Sequence, residues 1–178
     1  MMNYSLKNEA FLRHLLTFFF CISLSSVFAQ GKPSPAKSLE AKVDGLTIKM
    51  DYSSPAVKGR KIWGGLEAYD KVWRAGANEA TTFEVDKAVK INGKALPAGK
   101  YSFFIIPKES GDWTIIFNTV AEQWGAYKYD ESKDALRVDV KTESLDATQE
   151  RLEYQFDEKA KEVAMVWEKV KVPFKVTM

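Results

Sequence analysis

Apolar and polar residues alternate with a period of two along most of this chain, as in strands that bury one face. Ile48, Met50 and Tyr52 alternate with Thr47, Lys49 and Asp51, and Phe83 and Val85 alternate with Glu84 and Asp86. Val89 and Ile91 lead into Asn92-Gly93, a dipeptide that tolerates positive φ and closes tight hairpins. Leu96-Pro97-Ala98-Gly99-Lys100 predicts a second turn, with Pro presetting φ and Gly free to take positive values. Residues 101–106 and 113–117 are apolar on both faces, which suits central strands covered on both sides. Alternation returns at Leu136/Val138/Val140 and at Leu152/Tyr154/Phe156. It continues at Val163/Met165/Trp167, beyond a turn over 157–162, and at Val172/Phe174/Val176. Pro173 places the last of these at a sheet edge, where no backbone donor is needed.

No amphipathic pattern reaches three helical turns, and the connections are short. Short connections force antiparallel neighbours, because parallel pairs need crossovers of a dozen or more residues. The chain is therefore expected to be all-β, with about eight to ten strands in one domain over residues 41–178. Two packed antiparallel sheets or a closed barrel bury such one-sided strands. The β-sandwich is favoured over the barrel, because Pro173 and the leader point to open edges. That leader, residues 30–40, carries two prolines and a glycine with little to bury, and is expected to be flexible.

Residues 1–29 have a different character. Lys7 and Arg13 precede an apolar run over residues 15–24, and Val27 and Ala29 supply small residues ahead of Gln30. This order is that of a cleaved secretory signal, and the run is too short to cross a bilayer, which takes about 20 residues. Phe20 ahead of Cys21 does not fit a lipid-attachment site. The mature chain, Gln30 onward, then has 149 residues, 24 basic and 23 acidic. Such neutrality provides no electrostatic footprint for nucleic acid or an anionic membrane, and no later apolar run spans a membrane. His14 and Cys21 are the only residues of their types. The mature chain thus has no histidine base, no thiol nucleophile and no disulfide, and neither a metal nor another cofactor is expected.

Residues 64–81, GGLEAYDKVWRAGANEAT, are distinctive, as are 96–102, LPAGKYS, and 123–127, QWGAY. In this order they resemble the DUF2911 family of exported bacterial proteins of unassigned function, over residues 51–176. The resemblance implies an envelope location, periplasmic or extracellular, and transfers no catalytic residue.

The candidate chemistry concentrates in residues 72–81. Arg74 carries a rigid fork of donors suited to a carboxylate or phosphate, Asn78 both donates and accepts, and Glu79 is ionisable. Trp73, with Trp63 and Tyr69 upstream, offers flat surfaces for sugar or aromatic rings. Trp124 and Tyr127 in 123–129 suggest the opposite wall of the same cleft, or else a loop covering the end of the sandwich. The plainer and favoured arrangement of the first cluster is structural: Arg74 and Glu79 form an internal ion pair, Asn78 caps a turn, Gly76 supplies a bend and Trp73 is core. Asp130, Glu131 and Asp134 lack the ligand spacing and the glycine of a calcium loop, so a solvated turn is expected there. Lys58, Arg60 and Lys61 are expected to form another. No G-x-S-x-G turn or Gly-rich phosphate loop is present.

The expected function is that of a non-catalytic envelope sandwich binding a small ligand, a glycan or an envelope partner. Its candidate residues are Trp73, Arg74, Asn78, Glu79, Trp124 and Tyr127. The alternatives are a metal-independent hydrolase of envelope sugars with Glu79 as one carboxylate, and a purely structural assembly module. Mass spectrometry of the protein from its native envelope is expected to find Gln30 at the N-terminus. An intact Met1 or a lipidated Cys21 would overturn the signal assignment.

Overall fold

The computed structural model describes residues 33–178; the signal expected over 1–29 and the first residues of the leader lie outside them. Ten strands follow in order: β1 (Ala36–Val43), β2 (Leu46–Ser53), β3 (Thr81–Val85), β4 (Val89–Ile91), β5 (Lys94–Leu96), β6 (Gly99–Ile106), β7 (Trp113–Asn118), β8 (Asp134–Val140), β9 (Glu143–Asp157) and β10 (Glu162–Thr177). A six-stranded sheet, β1-β2-β3-β6-β7-β8, faces a four-stranded sheet, β5-β4-β10-β9. Every named strand pair is antiparallel. The two sheets remain separate ladders, so the fold is the expected β-sandwich and not the barrel. Among the described residues no helix is long and apolar enough to cross a membrane.

Period-two alternation sorts the core. Phe83, Phe103 and Phe117 from the large sheet meet Phe174 of β10, with ring centroids 5.0–6.1 Å apart across this group. Toward one end, Trp63 stands edge-on to Trp73, Trp113 and Trp167 at 5.5, 4.7 and 5.6 Å. Trp73 stacks on Trp167 at 5.7 Å. All four indoles are buried. Aromatic pairs of this kind add about 0.5–1.5 kcal/mol beyond their area burial. Trp167 and Phe174 thus make β10 the central element of the small sheet.

Two expectations are corrected. Residues 36–40 of the supposed flexible leader belong to β1, which pairs with β2 from Ala36↔Ser53 to Val43↔Leu46 across the turn at Asp44-Gly45. An edge strand needs backbone partners more than burial, and Lys37 also pairs with Glu153 at 2.6 Å. Pro173 is not at a sheet edge, since β10 lies between β4 and β9. The ladder to β9 ends at Lys171↔Glu143 and that to β4 begins at Val176↔Ile91. Pro173 occupies the handover between them, where its missing N–H costs no ladder bond.

The outer face of the large sheet carries a smaller apolar cluster. Ala80, Phe104 and Ile116 are buried there under Val72, Ile106, Ala126 and Tyr129. The segment joining β7 to β8 covers them, which explains why β6 and β7 are apolar on both faces. Asn118 and Tyr129 anchor that segment on Asp134: Asn118 Nδ2 donates to Asp134 Oδ1 at 2.8 Å, and the Tyr129 hydroxyl donates to Oδ2 at 2.5 Å.

Val138 is buried and Asp139, its neighbour on the opposite face, is exposed. Val138→Asp is expected to cost about 4 kcal/mol or more by burying an unpaired charge, and Asp139→Asn to stay within about 0.5 kcal/mol. Chemical denaturation of the two variants checks this; equal losses would contradict the inward assignment of Val138.

Candidate functional site

β3 pairs with β6 only from Val85↔Gly99 to Thr81↔Phe103. Beyond that point Trp73 takes its place beside β6, exchanging hydrogen bonds with Ile105 at 2.8 and 2.9 Å. Residues 74–80 therefore leave the sheet between two adjacent positions along β6. The Thr81 amide donates to the Arg74 carbonyl at 3.1 Å and closes the excursion. Strand alternation turns Trp73 into the core and sends Arg74 to the outer face with Val72.

The excursion is held from within. The Ala75 carbonyl accepts from the Thr81 hydroxyl at 2.9 Å and from the fully buried Tyr154 hydroxyl at 2.8 Å. Trp73 Nε1 donates to the Gly76 carbonyl at 3.2 Å. Asp70, Ala75 and Asn78 all adopt left-handed backbone, with φ of 60°, 53° and 60°, a conformation that is strained for a residue with a Cβ. The bends thus come from Ala75 and Asn78. Gly76, expected to supply one, is needed for closeness: a Cβ there would lie 2.9 Å from Thr81 Oγ1 and 3.0 Å from the Ser53 carbonyl.

The structure does not form the expected Arg74–Glu79 ion pair. Asn78 Nδ2 donates to Ser53 Oγ at 3.1 Å, and the left-handed turn at Asn78 leaves Glu79 exposed, bridged through its backbone to Trp124. Glu79 faces a different hollow, shared with Lys37, Asp51 and Lys100. Arg74 is half-buried, and among the described residues one hydrogen bond, from Nη1 to the Asn78 carbonyl at 2.9 Å, engages one of its five donors. Among the described residues no carboxylate lies within 4 Å of it. Its guanidinium lies 5.7 Å from the centroid of the Tyr127 ring, within cation–π range. Gly125 lets it pass, since a Cβ there would come within 3.0 Å of Nη1.

Arg74, Tyr127 and Ala126 line a cleft of about 250 Å³ with Glu67, Lys71 and Val72. Glu67 did not stand out in the sequence. The turn that sets it has Leu66 and Glu67 amides donating to the Lys61 and Ile62 carbonyls, both at 3.0 Å, and the Gly64 amide donating to the Glu67 carbonyl at 2.9 Å. Burial raises the Glu67 carboxyl to about 7, against the opposing pull of Arg74 and Arg60. The cleft therefore contains a fixed cation and a carboxyl that changes charge near neutrality.

The remaining candidates separate. Trp73 is core, its indole inside the tryptophan cluster. Trp124, 59% exposed, lines a hollow of about 450 Å³ with Val120, Glu122, Gln123, Lys128 and the 78% exposed Tyr127. Tyr127 is thus common to both depressions. The three carboxylates over 130–134 are engaged elsewhere: Asp130 accepts from the Ser132 amide, Glu131 pairs with Arg137, and Asp134 holds Asn118 and Tyr129. No group of three or more potential metal ligands occurs among the described residues. Arg60, from the basic turn, caps the carbonyls of Val57 and Ala56.

These features define an antiparallel sandwich with a rimmed cleft on the outer face of its larger sheet. Residues 34–176 match the family described as "Protein of unknown function (DUF2911)", and the chain belongs to that family. No curated protein and no solved structure matches it.

A carboxyl raised in the folded state stabilises the fold fully below its unfolded value, and that contribution is lost as pH rises through the folded value. Glu67→Gln is therefore expected to melt higher than the parent above about pH 8 and alike below about pH 4. Thermal scans at the two pH values test this; the same difference at both would contradict the raised carboxyl.

Proposed function

We propose that this protein is a non-catalytic binding protein of the bacterial envelope, exported by its N-terminal signal. The cleft bounded by Glu67, Arg74 and Tyr127 takes a small ligand or a glycan. One observation carries this reading. A half-buried guanidinium is held between Gly125 and Tyr127 with most of its donors unengaged by the described residues, in a cleft fixed by Ala75 and by the buried Phe104–Ile116 cluster. Structural arginines ordinarily spend their donors on carboxylates or carbonyls, because an unpaired charge out of water is unfavourable. An arginine left available on a rigid support favours recognition of an anionic group. The left-handed Ala75 next to it, an uncommon conformation for alanine, fits the same reading.

The hydrolase alternative with Glu79 has less to support it. Glycosidic cleavage requires two carboxyl groups flanking one bond; Glu67 lines a different hollow, and Asp51, which shares the hollow of Glu79, is paired with Lys49 at 3.1 Å. Amide-resolved NMR titration with a panel of small carboxylates, saccharides and peptides tests the binding reading. Shifts are expected at residues 67–74 and 123–127, and Arg74→Gln is expected to abolish them while leaving the fold intact. A binding ligand whose shifts fall elsewhere and survive Arg74→Gln would overturn it.

A further inference from the structure

Two depressions share one aromatic wall. On one side of Tyr127 stand Arg74, Lys71 and Glu67; on the other stand Trp124, Gln123, Glu122 and Lys128. Resting on the cleft reading above, we propose that the ligand is an acidic saccharide, with a sugar ring on Trp124 and Tyr127 and its carboxylate on Arg74.

The aromatic half carries the argument for a sugar. Trp124 and Tyr127 remain 59% and 78% exposed, although large aromatic side chains are the residues that folding most readily buries. Arg74 lies across the Tyr127 ring, yet that exposure leaves the rest of its surface open. The support is rigid. The Ala80 amide donates to the Gln123 carbonyl at 3.0 Å, the Tyr129 amide donates to the Ala126 carbonyl at 3.2 Å, and Asp134 fixes Tyr129. Flat apolar surfaces presented with adjacent polar side chains suit a pyranose, which has apolar C–H faces and a hydroxyl rim. Gln123 adds to this support: its Nε2 donates to the Val120 carbonyl at 3.0 Å.

The ionic half carries the argument for acidity. Arg74 offers a fork that matches a carboxylate in two parallel hydrogen bonds, with Lys71 at the rim. Glu67 is compatible with an incoming anion because burial raises its carboxyl to about 7, so that below that pH it is largely protonated, and a protonated carboxyl donates to a carboxylate instead of repelling it. A neutral sugar would leave the guanidinium without its match. A small carboxylate alone would leave Trp124 uncovered.

Isothermal titration with short oligosaccharides of galacturonate, mannuronate and glucuronate, each against its carboxyl-reduced counterpart, tests the inference. At least one acidic form is expected to bind about tenfold or more tightly than its reduced partner, the difference that one charge-assisted pair supplies. Arg74→Gln is expected to erase that preference. Trp124→Ala, at an exposed position, is expected to weaken both forms with the preference retained and the melting temperature unchanged. Equal binding of acidic and reduced forms at the same residues would overturn the acidic-saccharide inference and leave the cleft reading standing. Binding of small carboxylates at Arg74 with no response to any oligosaccharide would overturn it as well, again without touching the cleft. Saccharide binding indifferent to Arg74→Gln, with shifts remote from residues 67–74, would overturn both.

Discussion

The carbonyl oxygen of Ala75 is where the two sheets and the cleft are joined. Thr81, at the start of β3 in the large sheet, and Tyr154, on β9 of the small sheet, both donate to it. Ala75 is wholly buried and left-handed, so its carbonyl has no water to fall back on and requires both donors. Removing either would leave a strained residue with a half-satisfied oxygen in the core. This double anchorage fixes the backbone next to Arg74, and the pairing of Trp73 with Ile105 fixes it on the other side. The direction of the arginine side chain thus follows from core hydrogen bonding, and contact with a carboxylate plays no part in it.

The tryptophan cluster and the outer apolar cluster act on the same segment from opposite faces. Trp73 is committed inward among Trp63, Trp113 and Trp167, and Val72 is committed outward over Phe104 and Ile116. Between these commitments Arg74 has no freedom to retreat into the sandwich. Glu67 is placed by an independent turn, and its burial outweighs two nearby arginines in setting its acidity. A recognition surface built on such supports requires little ordering when a ligand arrives, which favours affinity.

Most of the sandwich was legible because its strands are half-buried, and burial is what a period-two pattern records. Ile48/Met50, Phe83/Val85 and Val172/Phe174/Val176 all point inward as their alternation requires. β1 escaped although Leu39, Ala41 and Val43 alternate with Ser38, Glu40 and Lys42 and pack on the core, because the prolines and glycine just ahead of it make the chain through residue 40 resemble a leader; the Asp44-Gly45 dipeptide was a further usable signal. Pro173 misled because the proline rule concerns a missing ladder bond, and a long strand can exchange partners in mid-course. At the site, Arg74 and Tyr127 were legible as residues but not in their relation. Glu79 lies nearer to Arg74 in sequence than Glu67 does, yet the left-handed turn at Asn78 directs it elsewhere. Proximity along a chain carries no such information when positive φ occurs at residues other than glycine.

The account rests on Arg74 sharing a desolvated cleft with Glu67. Titration of the Glu67 side-chain carboxyl by carbon-detected NMR, in the parent protein and in Arg74→Gln, addresses that arrangement directly. The account predicts a midpoint near 7 in the parent, moving to higher pH when the guanidinium charge is removed. A midpoint at the ordinary carboxylate value, unmoved by Arg74→Gln, would contradict it.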